Sequence, residues 1–377
     1  MMSRLFFGLS KLSPVNDALR HKSGRSFRLF SSSSSTPYMM LGTTLKKDLP
    51  DGSEIRDVHF FDPAKEELLT VPDKTFPEEL VKSRQIGSSH GWGLFSHDHD
   101  RSLCMSDLYQ PLASKSSPKM IPLPSFLALP TNQTDIVWNV AMSSSSPSDE
   151  GCVVGTKFLG RQLSLFRPHC DWRRWTNIEV NPVESFVNLE TSNLMFSKRD
   201  QRFYLPAHGG NELYSWDLHL EKNKSPQMHQ LLIRDLPQLA ESDWGLLDVC
   251  CRTQHLVESA SSGDRFLIKW YAQGYFSSAH GKIEYSTMRF MVFREVETTQ
   301  GRYMCYTEDI GEICIFLSES ETFCVDASSC PGLQPNSIYY IGKGFGTYNI
   351  ADNTSHRFEA PKGVPTSLKP YWLPPSL

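Results

Sequence analysis

Five short stretches of the sequence carry residue types whose spacing could do chemistry. "GSSHG" (87–91) has the G-x-S-x-G spacing of a nucleophile elbow, which needs a strand before the serine and a helix after it. The following "WGLFS" reads as a strand, so Ser89 is read as the entry to a hairpin. "HDHD" (97–100) offers two histidines two residues apart, which share one face of a strand and could ligate a metal. Four polar residues between two apolar runs also suit a hairpin loop, and the turn is the reading carried forward. "GKGFG" (342–346) has the glycines of a phosphate loop but lacks the following Lys-Ser/Thr and the helix that would hold the anion. It reads as a tight hairpin. "DWRRW" (171–175) mixes cations with rings that could stack on a nucleobase. It is read as the edge of a sheet, with Trp175 buried. "CVDASSC" (324–330) holds two thiols, but no His, Lys or helix start adjoins them to lower a thiol pKa. Pro331, Gly332 and Asn336 mark a turn there, with Cys324 in a strand and Cys330 in the loop. No catalytic, cofactor-binding or metal-binding residue is assigned, and no cofactor is expected.

The elements that would position these residues are those of a folded domain. Hydrophobic residues make up 39%, aromatics 11% and charged residues 21% of the 377-residue chain, a globular composition whose aromatic share favours β structure. Residues 1–36 stand apart. They hold Arg4, Lys11, Arg20, Lys22, Arg25 and Arg28 against the single acid Asp17, a net charge of +5. The whole chain carries −4, so the remainder carries −9. Leu5, Leu9 and Leu12 recur at helical spacing before Pro14, and a serine run follows. A cationic, Ser-rich, acid-poor amphipathic start reads as a mitochondrial transit peptide, with "RLFSS" as a cut between Phe30 and Ser31. The expected location is the mitochondrial matrix, with plastid or dual targeting as the rival. Asn132 and Asn353 begin glycosylation triplets, which would matter only in a secreted chain. No run approaches the roughly 18–20 apolar residues of a membrane helix, so no membrane span is expected. The acidic remainder offers no broad basic face, and no nucleic-acid partner is expected. Nine cysteines are odd in number and form no C-x-x-C pair. Cys104, Cys152, Cys250, Cys305 and Cys314 lie in apolar runs and are read as core.

Helical patterns are confined to "PEELVKS" (77–83) and "RDLPQLAES" (234–242). Elsewhere short strands alternate with turns. One unit recurs: an apolar strand ends at Asp62, Asp107, Arg167, Asp217, Arg294 or Asp352, then a polar turn leads to another strand. That spacing matches a four-stranded propeller blade plus loops. One unit reads strand by strand as "IVWNVAMS", "CVVGTKF", "QLSLFRP" and "RWTNIEV", with one apolar face on the middle pair. Six such turns predict six blades in residues 37–377, an all-β fold. The first unit lacks a leading strand, and "LKPYWLP" (368–374) could supply it and close the ring.

The run from "MVFREVE" to "GTYNIAD" resembles the C-terminal signature of the plant domain-of-unknown-function 295 family, which is kelch-like and F-box-associated. The matching residues are Ile315 to Leu317, Ser320 to Phe323, Pro331 to Tyr340 and Gly346 to Asp352, and "SSHGWGLFS" and "PKMIPLPSF" are similar to its first blade. "TFPEELVKSRQ" (75–85) only faintly echoes an F-box, so the chain resembles an organellar branch without that module. The resemblance implies a propeller and a compartment but no site. The expectation is a monomeric, non-enzymatic protein-interaction or scaffold module with a protein partner. The alternatives are an enzyme using the central channel, with His97 and His99 as candidates, and a residual ubiquitin-ligase substrate receptor.

Overall fold

The computed structural model describes residues 36–126, 136–160, 162–169, 174–179, 192–207, 211–218, 226–278, 281–299, 301–318, 320–359, 361, 363–364 and 370–375. The transit-peptide reading falls on residues 1–36 and lies, but for Thr36, outside them, as do Asp171, Trp172 and Arg173 of "DWRRW".

The described residues form a six-bladed β-propeller. Blade 1 contains β1 (Tyr38–Asp48), β2 (Glu54–Asp62) and β3 (Glu67–Phe76). A one-turn helix α1 (Glu78–Val81) leads to blade 2: β4 (Ser83–Ser89), β5 (Trp92–His97), β6 (Leu103–Ser106) and β7 (Met120–Leu123). Blade 3 is β8 (Val137–Met142), β9 (Val154–Phe158), β10 (Gln162–Phe166) and β11 (Thr176–Glu179), the four strands read from the sequence. Blade 4 is β12 (Met195–Ser197), β13 (Arg202–Pro206), β14 (Glu212–Asp217) and β15 (Gln227–Gln230).

The last two blades depart from the four-stranded expectation, each having five strands. Between blades 4 and 5 the chain forms β16 (Leu232–Arg234) and helix α2 (Glu241–Asp248). Blade 5 then follows as β17 (Cys251–Glu258), β18 (Arg265–Ser277), β19 (Lys282–Thr298) and β20 (Gly301–Thr307), and β16 adds to it as an outer strand parallel to β20. The helix expected over 234–242 is displaced accordingly: Arg234 ends β16 and α2 begins at Glu241. Arg294 is no turn either, because β19 runs 17 residues through it. In blade 6, β21 (Ile313–Leu317) turns back into β22 (Phe323–Asp326). The chain then passes through a 3₁₀ turn (Ala327–Ser329) to β23 (Ser337–Ile341), parallel to β21, and continues as β24 (Phe345–Asn349) and β25 (Thr354–Arg357).

The ring closes as the sequence predicts. The last strand, β26 (Tyr371–Leu373), pairs antiparallel with β1, with Trp372 opposite Met39. The Trp372 indole Nε1 donates to the Leu317 carbonyl at 3.1 Å, tying this closure to blade 6. Closure pairs the inner edge of blade 1, which would otherwise be open.

Six apolar clusters hold the ring, one at each junction between neighbouring blades. Alternate residues of β1 show why: Met39 and Leu41 pack towards blade 6, while Tyr38 and Met40 pack towards blade 2. Each blade is therefore buried on both faces, which corrects the single apolar face expected for β9 and β10. Their polar residues are buried too, Thr156, Lys157 and Ser164 among them. Partners inside the protein satisfy Lys157 and Ser164, as burial requires, while Thr156 Oγ1 is buried without a hydrogen-bond partner among the described residues. Lys157 Nζ donates to the Gly160 carbonyl at 2.5 Å, and Ser164 Oγ to Asn177 Oδ1 at 2.7 Å.

Candidate functional site

The innermost strands β4, β8, β12, β17 and β22 meet one another in turn around the axis. "GSSHG" sits at the end of the first of them. Ser89 pairs with Trp92 across a two-residue turn in which His90 and Gly91 both have positive φ, the geometry of a tight hairpin. Gly87 is required for packing: a Cβ there would lie 2.5 Å from Val140 Cγ2 on β8.

The segment between β21 and β22 reaches this hairpin from blade 6. Ser320 shares hydroxyl contacts with Ser88 and donates to the Ser88 carbonyl at 2.8 Å. Asn193 of blade 4 donates to the Ser320 carbonyl at 3.1 Å and accepts from Trp138 Nε1 at 2.8 Å. Glu321 Oε2 accepts from Ser89 Oγ at 2.6 Å and from the His90 amide at 3.0 Å. Its other oxygen lies 3.7 Å from His90 Nε2.

Serine, histidine and carboxylate thus converge, but in the wrong order for hydrolysis. A nucleophilic serine hands its proton to an imidazole that the acid orients. Here the Ser89 hydroxyl donates its hydrogen bond directly to the carboxylate and accepts one from the Met142 amide at 3.0 Å. Ser89 is also buried at 2% exposure, beyond reach of a substrate. The cluster acts as a polar clasp across the axis, joining blades 2, 3, 4 and 6.

The neighbouring His255 on β17 is closed in as well. Its ring nitrogens lie 3.1 Å from Thr322 Oγ1 and 3.2 Å from Thr253 Oγ1. Burial first, and then the Lys343 charge, push its pKa down to about 3, so the ring is neutral.

The other sequence candidates fall away from the axis. His97, read with His99 as a channel candidate, ends β5, and His99 lies in the β5–β6 turn, a strand further out than β4; strand order within a blade sets radius. His97 Nδ1 lies 3.0 Å from Asp100 Oδ1. Among the described residues no group of three or more His, Cys, Asp or Glu is placed to hold a metal. "GKGFG" is the β23–β24 turn, with Gly342 and Gly344 at positive φ. Trp175 is buried against Phe126 and Phe166 and donates to the Pro124 carbonyl at 2.7 Å. Cys324 lies in β22 and Cys330 is buried beyond the 3₁₀ turn. Burial pushes the Cys324 thiol up to about 12, with Asp326 adding to the rise, so it is unreactive. Of the five cysteines read as core, Cys152 and Cys314 are buried, while Cys104, Cys250 and Cys305 are half-buried.

Sequence reasoning missed one exposed feature. β18 and β19 outrun their neighbours: β17 pairs only as far as Ala272, and β20 only from Val292. The remainder projects as a two-stranded arm whose root is pinned by Thr287 Oγ1, which accepts from Trp270 Nε1 at 2.9 Å and donates to the Lys343 carbonyl at 2.6 Å. Phe276 faces Ile283 across the arm, and Tyr285 faces Gly274 on the same side. Phe276 is 70% exposed and Ile283 61% exposed. The signal was present in "YAQGYF", where aromatics continue past the length of an ordinary strand.

Among solved structures, the chain is similar to one from a nidogen/laminin complex at 9% identity and a TM-score of 0.38, covering 89% of this chain and 96% of that one. It is similar to a Bacteroides thetaiotaomicron VPI-5482 protein of unknown function at 8% identity and a TM-score of 0.32, covering 69% of this chain and 62% of that one. It is also similar to Kluyveromyces lactis Hsv2 at 7% identity and a TM-score of 0.27, covering 66% and 85%. No curated protein matches the sequence. The family profile described as KIB1-4 beta-propeller matches residues 60–361, from the second strand of blade 1 through the last blade, and the chain belongs to that family.

Proposed function

We propose that the protein is a non-enzymatic interaction module, working as a monomer in the mitochondrial matrix and engaging a protein partner through the β18–β19 arm. The observation that carries this reading is the arm's exposed side of Phe276, Ile283 and Tyr285. An aromatic and aliphatic cluster on a rigid scaffold is the usual composition of a protein contact. The arm's unpaired strand edges beyond Ala272 and before Val292 also offer backbone groups to a partner strand. The axial polar groups bond to one another, which favours scaffold over catalyst. The kelch-like kinship and the likeness to the domain-of-unknown-function 295 family belong to the same reading, as does the organellar location argued from the cationic start.

A photo-cross-linking residue at position 276 of the full-length protein, expressed in cells, tests the reading. One discrete protein adduct is expected, lost when Ile283 and Tyr285 are both changed to Ser. A pattern no different from the same probe at Leu45, exposed on blade 1, would overturn it. Sequencing the imported protein's N-terminus should return Ser31; an intact Met1 would remove the matrix location.

A further inference from the structure

The two long edges of the arm differ. That of β18, from Gln273 to Ser277, begins beside the turn from α2 into β17, since Cys251 is the residue opposite Ala272. That of β19 is longer. Among the described residues, Lys282 to Met291 pair only with β18, because β20 ends at Thr307 opposite Val292. The chain then turns away through Glu308 and Asp309 to Ile310, whose amide donates to Asn336 Oδ1 at 2.9 Å. A groove of about 670 Å³ opens where β20 stops, lined by Arg289, Tyr306, Glu308 and Asp309 together with residues 237–239.

Alternate residues along such an edge turn both N–H and C=O outward, and only another extended backbone can match that row of donors and acceptors. The side chains set what this backbone must carry. Residues paired across a ladder share a face. A strand added to β19 would lay alternate residues beside the exposed Ile283 and Tyr285, and those between beside Glu284 and Ser286. The first face is apolar and the second polar, so the incoming strand must alternate likewise. The groove asks for positive charge. Among the described residues its walls carry two exposed carboxylates, Glu308 and Asp309, and one guanidinium, Arg289, which donates to the Tyr306 hydroxyl. Glu308 Oε1 accepts from Tyr306 at 2.9 Å and Asp309 Oδ1 from the Gly311 amide at 2.8 Å, and each carboxylate has a second oxygen to offer a cation.

We propose that the β19 edge takes one extended segment of the partner as an added antiparallel strand, apolar at alternate positions and with a lysine or arginine at its N-terminal end against Glu308 and Asp309. Running antiparallel to β19, the segment continues the direction of β20, so its N-terminal end is the one at the groove. This inference rests on the arm reading and names the chemistry of its partner.

Calorimetry and amide hydrogen exchange by NMR on the full-length protein test it, with the capped peptide acetyl-Lys-Val-Thr-Val-Thr-Val-Thr-Val-amide as probe and the same peptide with glutamate in place of lysine as control. The lysine peptide is expected to bind at least tenfold tighter. It should slow exchange tenfold or more at alternate amides between Lys282 and Thr287 and leave the intervening ones, already turned to β18, unchanged. Glu308→Gln combined with Asp309→Asn should bring the two peptides within about twofold; both side chains are exposed and keep their acceptors, so the fold is preserved. No binding of the lysine peptide at millimolar concentration, equal binding of the two peptides, an unchanged preference in the double variant, or binding without the alternating protection would each overturn the proposal. Protection of the same amides that grows with protein concentration in the absence of peptide would give the edge to a second copy. Co-sedimentation with vesicles of phosphatidylcholine and phosphatidylglycerol, lost in Phe276→Ser, would give the arm to a lipid surface. Either result also overturns it. A discrete adduct at position 276 without amide protection would sink this inference and leave the arm reading standing; protection without an adduct would do the reverse.

Discussion

The junction between blades 4 and 5 has two ends, built largely from the same strands, β17 and β18, that treat charge in opposite ways. At the Glu258–Arg265 end, the Arg265 side chain is fully buried and meets Asp200 at 2.6 Å, Glu258 at 3.2 Å and Glu295 at 3.2 Å. Arg199 contacts Glu295 and Asp200, and Ser197 Oγ accepts from Arg265 at 2.9 Å. Burial alone would raise the Asp200 pKa, but the Tyr204 hydroxyl and Arg265 hold it well below the usual carboxylate range. At the Arg252–Tyr271 end, two cations line a chamber, and among the described residues none of its lining side chains is acidic. The first end is electrically closed and staples two blades together. The second sets its cations over aromatic rings, Arg252 5.8 Å from the centre of the Tyr271 ring and Lys269 5.2 Å from that of Phe293. The contrast separates a cation held among carboxylates from cations held over aromatic rings, and it rests on neighbours that no cation's own sequence context reveals.

Removing the cation at each end should have unequal consequences. Arg265→Met leaves three clustered carboxylates and is expected to cost about 3–5 kcal/mol in urea unfolding. A cost below about 1 kcal/mol would mean the network is no staple. His255, between the two ends of β17 but facing blade 6, supplies a pH reference. Its folded pKa lies below its unfolded value, so the unfolded chain binds the extra proton, and stability is lost as the pH falls below about 6.5. His255→Gln should flatten the stability slope by up to about 1.4 kcal/mol per pH unit between roughly pH 6 and 4. An unchanged slope would show that this ring is not held neutral. Asp200→Asn at the closed end should cost about 1.5–3 kcal/mol near neutral pH. The depressed carboxyl gives its stability above its unfolded pKa of about 4 and loses it as the pH falls further, so the mutational cost should shrink in that range. Lys269→Met should change stability least, by about 1 kcal/mol or less and in either direction, because it replaces a desolvated charge with an apolar chain of similar length. A loss of several kcal/mol there would erase the difference between the two ends.

Much of the ring was legible in the chain. Blade 3 appears strand for strand, because β-branched and aromatic runs there are cut by unambiguous turn residues. The closing strand was visible in "LKPYWLP", since a first blade without a leading strand needs one from elsewhere. The extra strand of blade 5 was not visible, and the blade 6 strand read around Cys324 was not recognised as a fifth. Leu232–Arg234 is too short to read as a strand without the β20 edge that receives it, and β22 pairs with β21 on the side away from β23. The long β19 was cut short at Arg294 because a charged residue followed by polar ones resembles a turn when its partners are unseen.

For the candidate sites, local sequence told which motifs lacked the elements their chemistry requires. It could not tell where the spare polar groups would go. Ser89 and Glu321 lie 232 residues apart, and only the ring brings them into contact. Periodicity and turn chemistry are properties of neighbouring residues, so the sequence alone determined most strands, the blade count and closure. Charge balance depends on which distant side chains share a low-dielectric space, so only the tertiary structure decided that Arg265 meets three carboxylates while Arg252 and Lys269 lie over aromatic rings.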